Sequence, residues 1–199
     1  MTKLVDMHVG LGKIGWRLFL LNLYWLIHTL MGGIILGIAP STRVLYQQLI
    51  QDEKSEEIEN KGLWQAFHTA WKKQFITANK LILPLILLIG MIFLEIRLLS
   101  VMTFTQMDIF ISVALQVLFL ALITMLLNIF AFGGQQVTAK ESYRQCLILV
   151  FGRPLFSLGS LVMVLLILST YYVMPGLGVV FGISTIAFAQ IKYLGKHID

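Results

Sequence analysis

The chain has 199 residues, of which 58% are hydrophobic and 13% charged, against about 25% charged in an ordinary soluble domain. That composition excludes a water-dispersed globular domain, and about five spans of roughly 20 residues would leave only short connections. The net charge of +5 does not indicate nucleic acid, because the basic residues flank apolar runs and form no basic face; the bilayer surface is their partner.

Residues 1–17 mix Leu4, Val5, Met7, Val9, Leu11, Ile14 and Trp16 with Lys3, Asp6, Lys13 and Arg17, the pattern of a short interfacial helix. The apolar run that follows, 18–39, continues beyond the length of a signal sequence and has no A-x-A cleavage site. It reads as a retained first span containing Asn22, His28, Gly32, Gly33 and Gly37.

Pro40 and Ser41 end that run, and residues 41–80 read as a cytoplasmic loop. Ser41 can cap a short helix through Tyr46 to Ile50, and Asp52, Glu53, Glu56, Glu57 and Glu59 then make a solvated acidic stretch. Within this loop Leu63, Phe67, Trp71 and Phe75 recur every four residues, with Trp64 beside them and Lys72 and Lys73 off the stripe. The spacing predicts an amphipathic interfacial helix on a membrane surface or a partner.

The second span, about 81–104, carries Glu95 and Arg97 near one end, where long side chains reach water. The third, 109–132, stops at Gly133 and Gly134, and Lys140, Glu141 and Arg144 form a polar connection. The fourth, 155–174, turns at Pro175 and Gly176 into the fifth, 176–194, as an antiparallel hairpin. The expected fold is a single all-α membrane domain over 1–199: a bundle of about five transmembrane helices with an interfacial helix in the first large loop.

Eleven of the fifteen Lys and Arg residues fall on one side if the large loop is cytoplasmic, which predicts a cytoplasmic C-terminus. The three basic residues of the N-terminus then lie on the other side. A re-entrant hairpin at the glycines of the first run would bring them back, provided protein shields the bend.

The four histidines, His8, His28, His68 and His197, show no His-x-x-x-His or Glu-x-x-His spacing, and Cys146 is the single cysteine, which excludes an intramolecular disulfide and a multi-cysteine metal site. His28, inside a span, reads as a buried hydrogen-bonding residue or as part of a proton relay. Gln116, Thr124 and Asn128 fall on one face of the third span, a polar stripe for interhelical hydrogen bonds or a solute path. Gly33 with Gly37 and Gly178 with Gly182 have the spacing that lets helices approach closely. No P-loop, G-x-S-x-G or kinase signature occurs, so neither an enzyme nor a cofactor is expected.

Leu21, Asn22, Leu23, Trp25 and Leu26, then Gly37 to Thr42 with Leu45 and Tyr46, resemble the opening signature of the YesL family of bacterial membrane proteins. Leu63, Trp64, Ala66, Phe67, Trp71 to Phe75, Ala78 and Asn79 resemble its second block; where the family often has a proline in the first span, this chain has Gly32 and Gly33. The resemblance implies a bacterial cytoplasmic membrane protein associated with carbohydrate-uptake gene clusters, commonly beside ABC importers for oligosaccharides. It predicts a noncatalytic accessory subunit contacting the permease; the alternatives are an autonomous oligomeric transporter or channel, and a membrane-bound regulator of sugar uptake.

Overall fold

The computed structural model describes residues 2–55, 60–99, 106–131 and 138–195, with side chains from residue 12 and, in the third segment, from residue 108. Glu56, Glu57 and Glu59 of the acidic stretch, the expected span ends at 100–104 and 132, Gly133, Gly134, His197 and the N-terminal interfacial side chains up to Leu11 lie outside the described residues. Seven α-helices run in order: α1 Thr2–Met31, α2 Ile35–Lys54, α3 Leu63–Leu99, α4 Gln106–Asn128, α5 Ala139–Leu147, α6 Pro154–Val173 and α7 Pro175–Gly195. A π-helical turn, Ile148–Gly152, joins α5 to α6. Pro154 and Pro175 open their helices where a missing N–H costs no helical bond, and Thr138 caps α5 by accepting from the Glu141 N–H.

The expected span 18–39 is not one helix. Gly33, at φ +72°, ends α1: its N–H bonds Leu30 O at 3.0 Å, and the next N–H, of Ile34, bonds Thr29 O at 2.9 Å. This pair of bonds is the Schellman closure, for which a left-handed glycine is the cheapest residue. Ile34 then sits at φ 64° and ψ −74°, the centre of a γ-turn closed by Ile35 N–H to Gly33 O at 2.9 Å, a strained conformation for a β-branched residue. The chain reverses, and α2 runs back along α1 with Thr42 Oγ1 accepting from Trp25 Nε1 at 2.9 Å and Asp52 bonding Arg17. The turn falls at the glycines where a re-entrant bend is the alternative reading of this run.

Beside the turn the two backbones touch. A Cβ on Gly37 would stand 2.2 Å from Thr29 O, and one on Gly32 would stand 2.4 Å from the Gly37 Cα. Gly33 has open space around it. The expected Gly33–Gly37 packing pair is thus divided: Gly37 makes the close approach, with Gly32 across from it, while Gly33 serves the turn.

Residues 41–80, expected as a loop, are mostly helix. Ser41 to Gln47 are all buried, and α2 buries eleven of its twenty residues among α1, α3 and α7. The Leu63–Phe75 segment is the beginning of α3, continuous with the expected second span. Pro40 inside α2 leaves the Leu36 carbonyl without its helical donor. Asn79 of α3 supplies one instead, Nδ2 to Leu36 O at 2.9 Å.

Among the described residues, four helices are long and apolar enough to cross a membrane: α3, Asp108–Asn128 of α4, α6 and α7. Leu87, Met91, Phe110, Val117, Leu166 and Val173 are among their exposed apolar side chains, as a lipid-facing surface requires. The multi-pass helical membrane architecture stands, with four such helices and an inner α1–α2 hairpin in place of five successive spans.

Replacing Gly37 by Ala should destabilise the fold by more than about 2 kcal/mol, since the methyl meets rigid backbone. Gly90→Ala, where nothing lies within 4 Å of the new Cβ, should be neutral or stabilising by up to about 1 kcal/mol. Thermal unfolding of the two variants in nonionic detergent checks the contrast.

Candidate functional site

Polar side chains of α2, α4, α6 and α7 meet in one buried network. Asn128 on α4 bonds its own helix through Nδ2 to Thr124 O at 2.7 Å, and its Oδ1 accepts from Ser160 Oγ of α6 at 2.7 Å. Gln190 of α7 donates from Nε2 to Leu127 O, Asn128 Oδ1 and Ser160 Oγ at 3.2–3.3 Å, and its Oε1 accepts from the Tyr46 hydroxyl of α2. Thr124 bonds back to Leu120 O at 2.6 Å. Four helices are tied at one level, and every amide of the cluster is engaged. Asn128 and Thr124 of the expected stripe belong here as structural links; Tyr46, Ser160 and Gln190 carry no helix-periodic signal that a single sequence would expose.

Gln116, the third residue of that stripe, lies apart. It is exposed near the middle of α4 among Val113, Val117 and Leu120, and one N–H bonds Ser112 Oγ at 3.3 Å. Its amide is a polar group on a lipid-facing surface.

His28 is fully buried and faces His68 of α3, Nε2 to Nδ1 at 3.1 Å. Its Nδ1 stands 2.8 Å from Tyr24 O and therefore carries the hydrogen, leaving Nε2 to accept from His68. Trp64, Phe67 and Trp71 enclose the His28 ring at centroid distances of 4.9, 4.9 and 5.5 Å. The pair joins α1 to α3. Its 40-residue separation hides it from any spacing rule. No group of three or more His, Cys, Asp or Glu side chains that could hold a metal ion occurs among the described residues.

Asn22 reaches α7, donating through Nδ2 to Val179 O at 2.8 Å and Val180 O at 3.2 Å. These carbonyls lie at a break in α7, where Gly182 has φ 25° and ψ −120°. The Tyr171 hydroxyl of α6 donates to Gly182 O at 2.9 Å. A Cβ on Gly182 would stand 2.7 Å from Asn22 Oδ1, whereas one on Gly178 would meet the Tyr171 ring at 3.3 Å. The two glycines therefore face different helices, and their spacing does not form one packing face.

The aromatic stripe turns inward. Leu63, Phe67 and Trp71 are buried, Phe75 is half-buried and Trp64 is partly exposed, packed against Tyr24 and His28 of α1. Only Lys72 and Lys73 of the expected interfacial set point fully outward. The amphipathic period reports a contact within the protein, because the α1–α2 hairpin supplies the apolar surface that the stripe was expected to find in a membrane or partner.

At the bundle end nearest the start of α1, buried Arg17 grips Asp52 through Nε at 2.8 Å and Nη2 at 2.7 Å, and Asn60 accepts from its Nη1 at 3.2 Å. Lys192 of α7 pairs with Glu53 at 2.7 Å. The middle of α1, the residue Asn60 just before α3 and the ends of α2 and α7 are gathered there.

Gln190→Leu strands the buried Tyr46 hydroxyl and removes a donor from Leu127 O, Asn128 Oδ1 and Ser160 Oγ, and should cost about 1–3 kcal/mol. A double-mutant cycle with Asn128→Ala and Ser160→Ala should give a coupling of about 0.6 kcal/mol, the average for interhelical bonds in membranes. Unfolding of Gln190→Leu and of the four proteins of the cycle in one detergent measures both.

Residues 18–96 match the family described as "Protein of unknown function, DUF624", a domain carried by YesL-type membrane proteins. The match spans most of α1, all of α2 and nearly all of α3. No curated protein and no solved structure matches the chain.

Proposed function

We propose that this chain is a YesL-type, noncatalytic accessory subunit of a bacterial carbohydrate ABC importer, contacting permease helices through the outer face of α4. The observation that carries the reading is Gln116. Ser112 occupies one of its N–H groups, and a mid-span amide left in hydrocarbon is costly unless another helix bonds it. An amide on an apolar surface suits a membrane-embedded partner. The link to carbohydrate uptake comes only from the family resemblance across 21–79; the DUF624 match over 18–96 supports that resemblance.

Autonomous transport is the less favoured reading, because Tyr46, Thr124, Asn128, Ser160 and Gln190 spend their polar groups on one another and on backbone. A solute path needs such groups facing a passage.

A cytoplasmic C-terminus has a second support besides the basic-residue census. Four crossings return the chain to the side on which α3 begins, in keeping with the Lys192–Glu53 pair. With the α1–α2 reversal, the basic residues of α1 join the same end, and among the described basic residues Arg97 alone falls at the other.

A mild-detergent pull-down from native membranes should recover permease and ATPase subunits at comparable abundance. Gln116→Leu should lower that recovery severalfold while leaving expression and unfolding temperature unchanged. Recovery of a lone homo-oligomer would overturn the accessory role and favour transport, which solute flux into proteoliposomes would then test.

A further inference from the structure

Between α2 and α3 lies a cleft of about 350 Å³ lined by Arg43, Gln47, Gln48, Ala70, Lys73, Gln74 and Thr77. Its lining holds two cations and no acid. Arg43 is 8% exposed and so is held in place by the helices around it, whereas Lys73 on the facing helix is exposed. Gln47, only 4% exposed, accepts from Gln74 Nε2 at 2.5 Å, and this leaves Gln47 Nε2 and Gln74 Oε1 without partners. Exchanging N and O in both amides keeps the bond and still leaves one NH₂ group over. A guanidinium, an ammonium, amide N–H groups and the Thr77 hydroxyl make a donor-rich, net positive site, the chemistry that recognises a tetrahedral oxyanion with several acceptor oxygens.

The level of the cleft points the same way. Up to and through the level of the cleft the outer face of α3 is mainly polar, with Gln65, Thr69, Lys72, Lys73, Thr77 and Lys80 exposed beside Trp64 and Ile76; beyond Lys80 the exposed residues include Leu83, Ile86 and Leu87. The change from polar to apolar comes within two turns of Thr77, roughly 10 Å along the helix. That is where headgroup phosphates meet the hydrocarbon of a bilayer, and basic pockets between membrane helices at this level take anionic headgroups.

We propose that the α2–α3 cleft is a binding site for a phosphate group, carried by an anionic lipid headgroup or by a soluble phosphate. The inference does not depend on the importer reading, since it concerns a ligand of the isolated chain.

Lys72 provides an internal control. It is adjacent, equally charged and exposed, but borders a different hollow with Met31, Gly32, Trp71, Phe75 and Ile76. The full chain, purified in nonionic detergent, is titrated separately with phosphatidylglycerol, zwitterionic phosphatidylcholine and inorganic phosphate. Native mass spectrometry reads bound lipid, and the unfolding temperature reads each ligand. Phosphatidylglycerol should bind in preference to phosphatidylcholine, with Lys73→Gln weakening it about tenfold and Lys72→Gln leaving it within twofold. Stabilisation by inorganic phosphate, lost in Lys73→Gln and kept in Lys72→Gln, would instead identify a soluble ligand at the same site. Equal effects of the two substitutions would reduce the attraction to general surface charge and overturn the proposal, as would binding of neither anion.

Discussion

In a bilayer no water reaches a broken helix, so each backbone carbonyl freed by a break must find its donor within the protein. Among the described residues, three such interruptions are answered in three ways. At 32–34 the Schellman bonds and γ-turn close the end of α1 on itself. Asn79 serves the Leu36 carbonyl released by Pro40, whereas Asn22 and Tyr171 serve the carbonyls about Gly182. The last two solutions come from other helices, so the irregularities also hold α3 to α2, and both α1 and α6 to α7. A defect in one helix becomes a contact between two.

The reversal at 32–34 has the largest consequence. It turns α2, polar by composition, into the central element of an apolar bundle, with Ser41, Thr42, Arg43, Tyr46 and Gln47 all buried. Such a helix is the more stable inside the more of its polar groups are bonded, and Ser41 Oγ and Gln47 Nε2 are left over. The net worth of each bond is small, about 0.6 kcal/mol, whereas a stranded group costs more. The bonds of Tyr46 and Thr42 therefore act chiefly by penalising other arrangements of α2. The same asymmetry explains why Arg17 enters the protein with Asp52 and Asn60 around it rather than alone.

Helical class, membrane residence and the positions of the last three spans are legible in the sequence because they depend on apolar runs about 20 residues long. The hairpin is less so. Residues 18–39 have the hydropathy of a span, and only the consecutive glycines show where it reverses. The four-residue stripe of Leu63, Phe67 and Trp71 identifies a buried face correctly but not what covers it, since periodicity reports amphipathicity alone. His28–His68, Tyr46–Gln190 and Asn22–Val179 join residues 40 to 157 positions apart, and no local pattern carries such pairings. Asn22, Trp25, Pro40, Thr42, Tyr46, Trp71 and Asn79, among the residues that carry the family resemblance, belong to these contacts. What the resemblance detects in the first half of the chain is therefore largely the hardware of the α1–α2–α3 unit.

The outer face of α4 and the α2–α3 cleft are separated along the bundle. Phe119, one turn from Gln116, packs on Phe93 of α3, whereas the cleft ends at Thr77, sixteen residues earlier and roughly 24 Å away along the helix. A helix seated on α4 would leave the cleft open, and a phosphate in the cleft would contact none of the side chains around Gln116. Yet α3 lines the cleft and also packs on α4, so both sites bear on one long helix whose first turns are fixed by the hairpin and whose later turns face lipid. A ligand that draws Arg43 and Lys73 together would tighten α3 against α2 at the same level where Asn79 already binds Leu36 O. Occupancy would then stiffen the junction between the inner hairpin and the lipid-facing helices, adding a polar tie to the packing of Phe67 and Trp71 against α1.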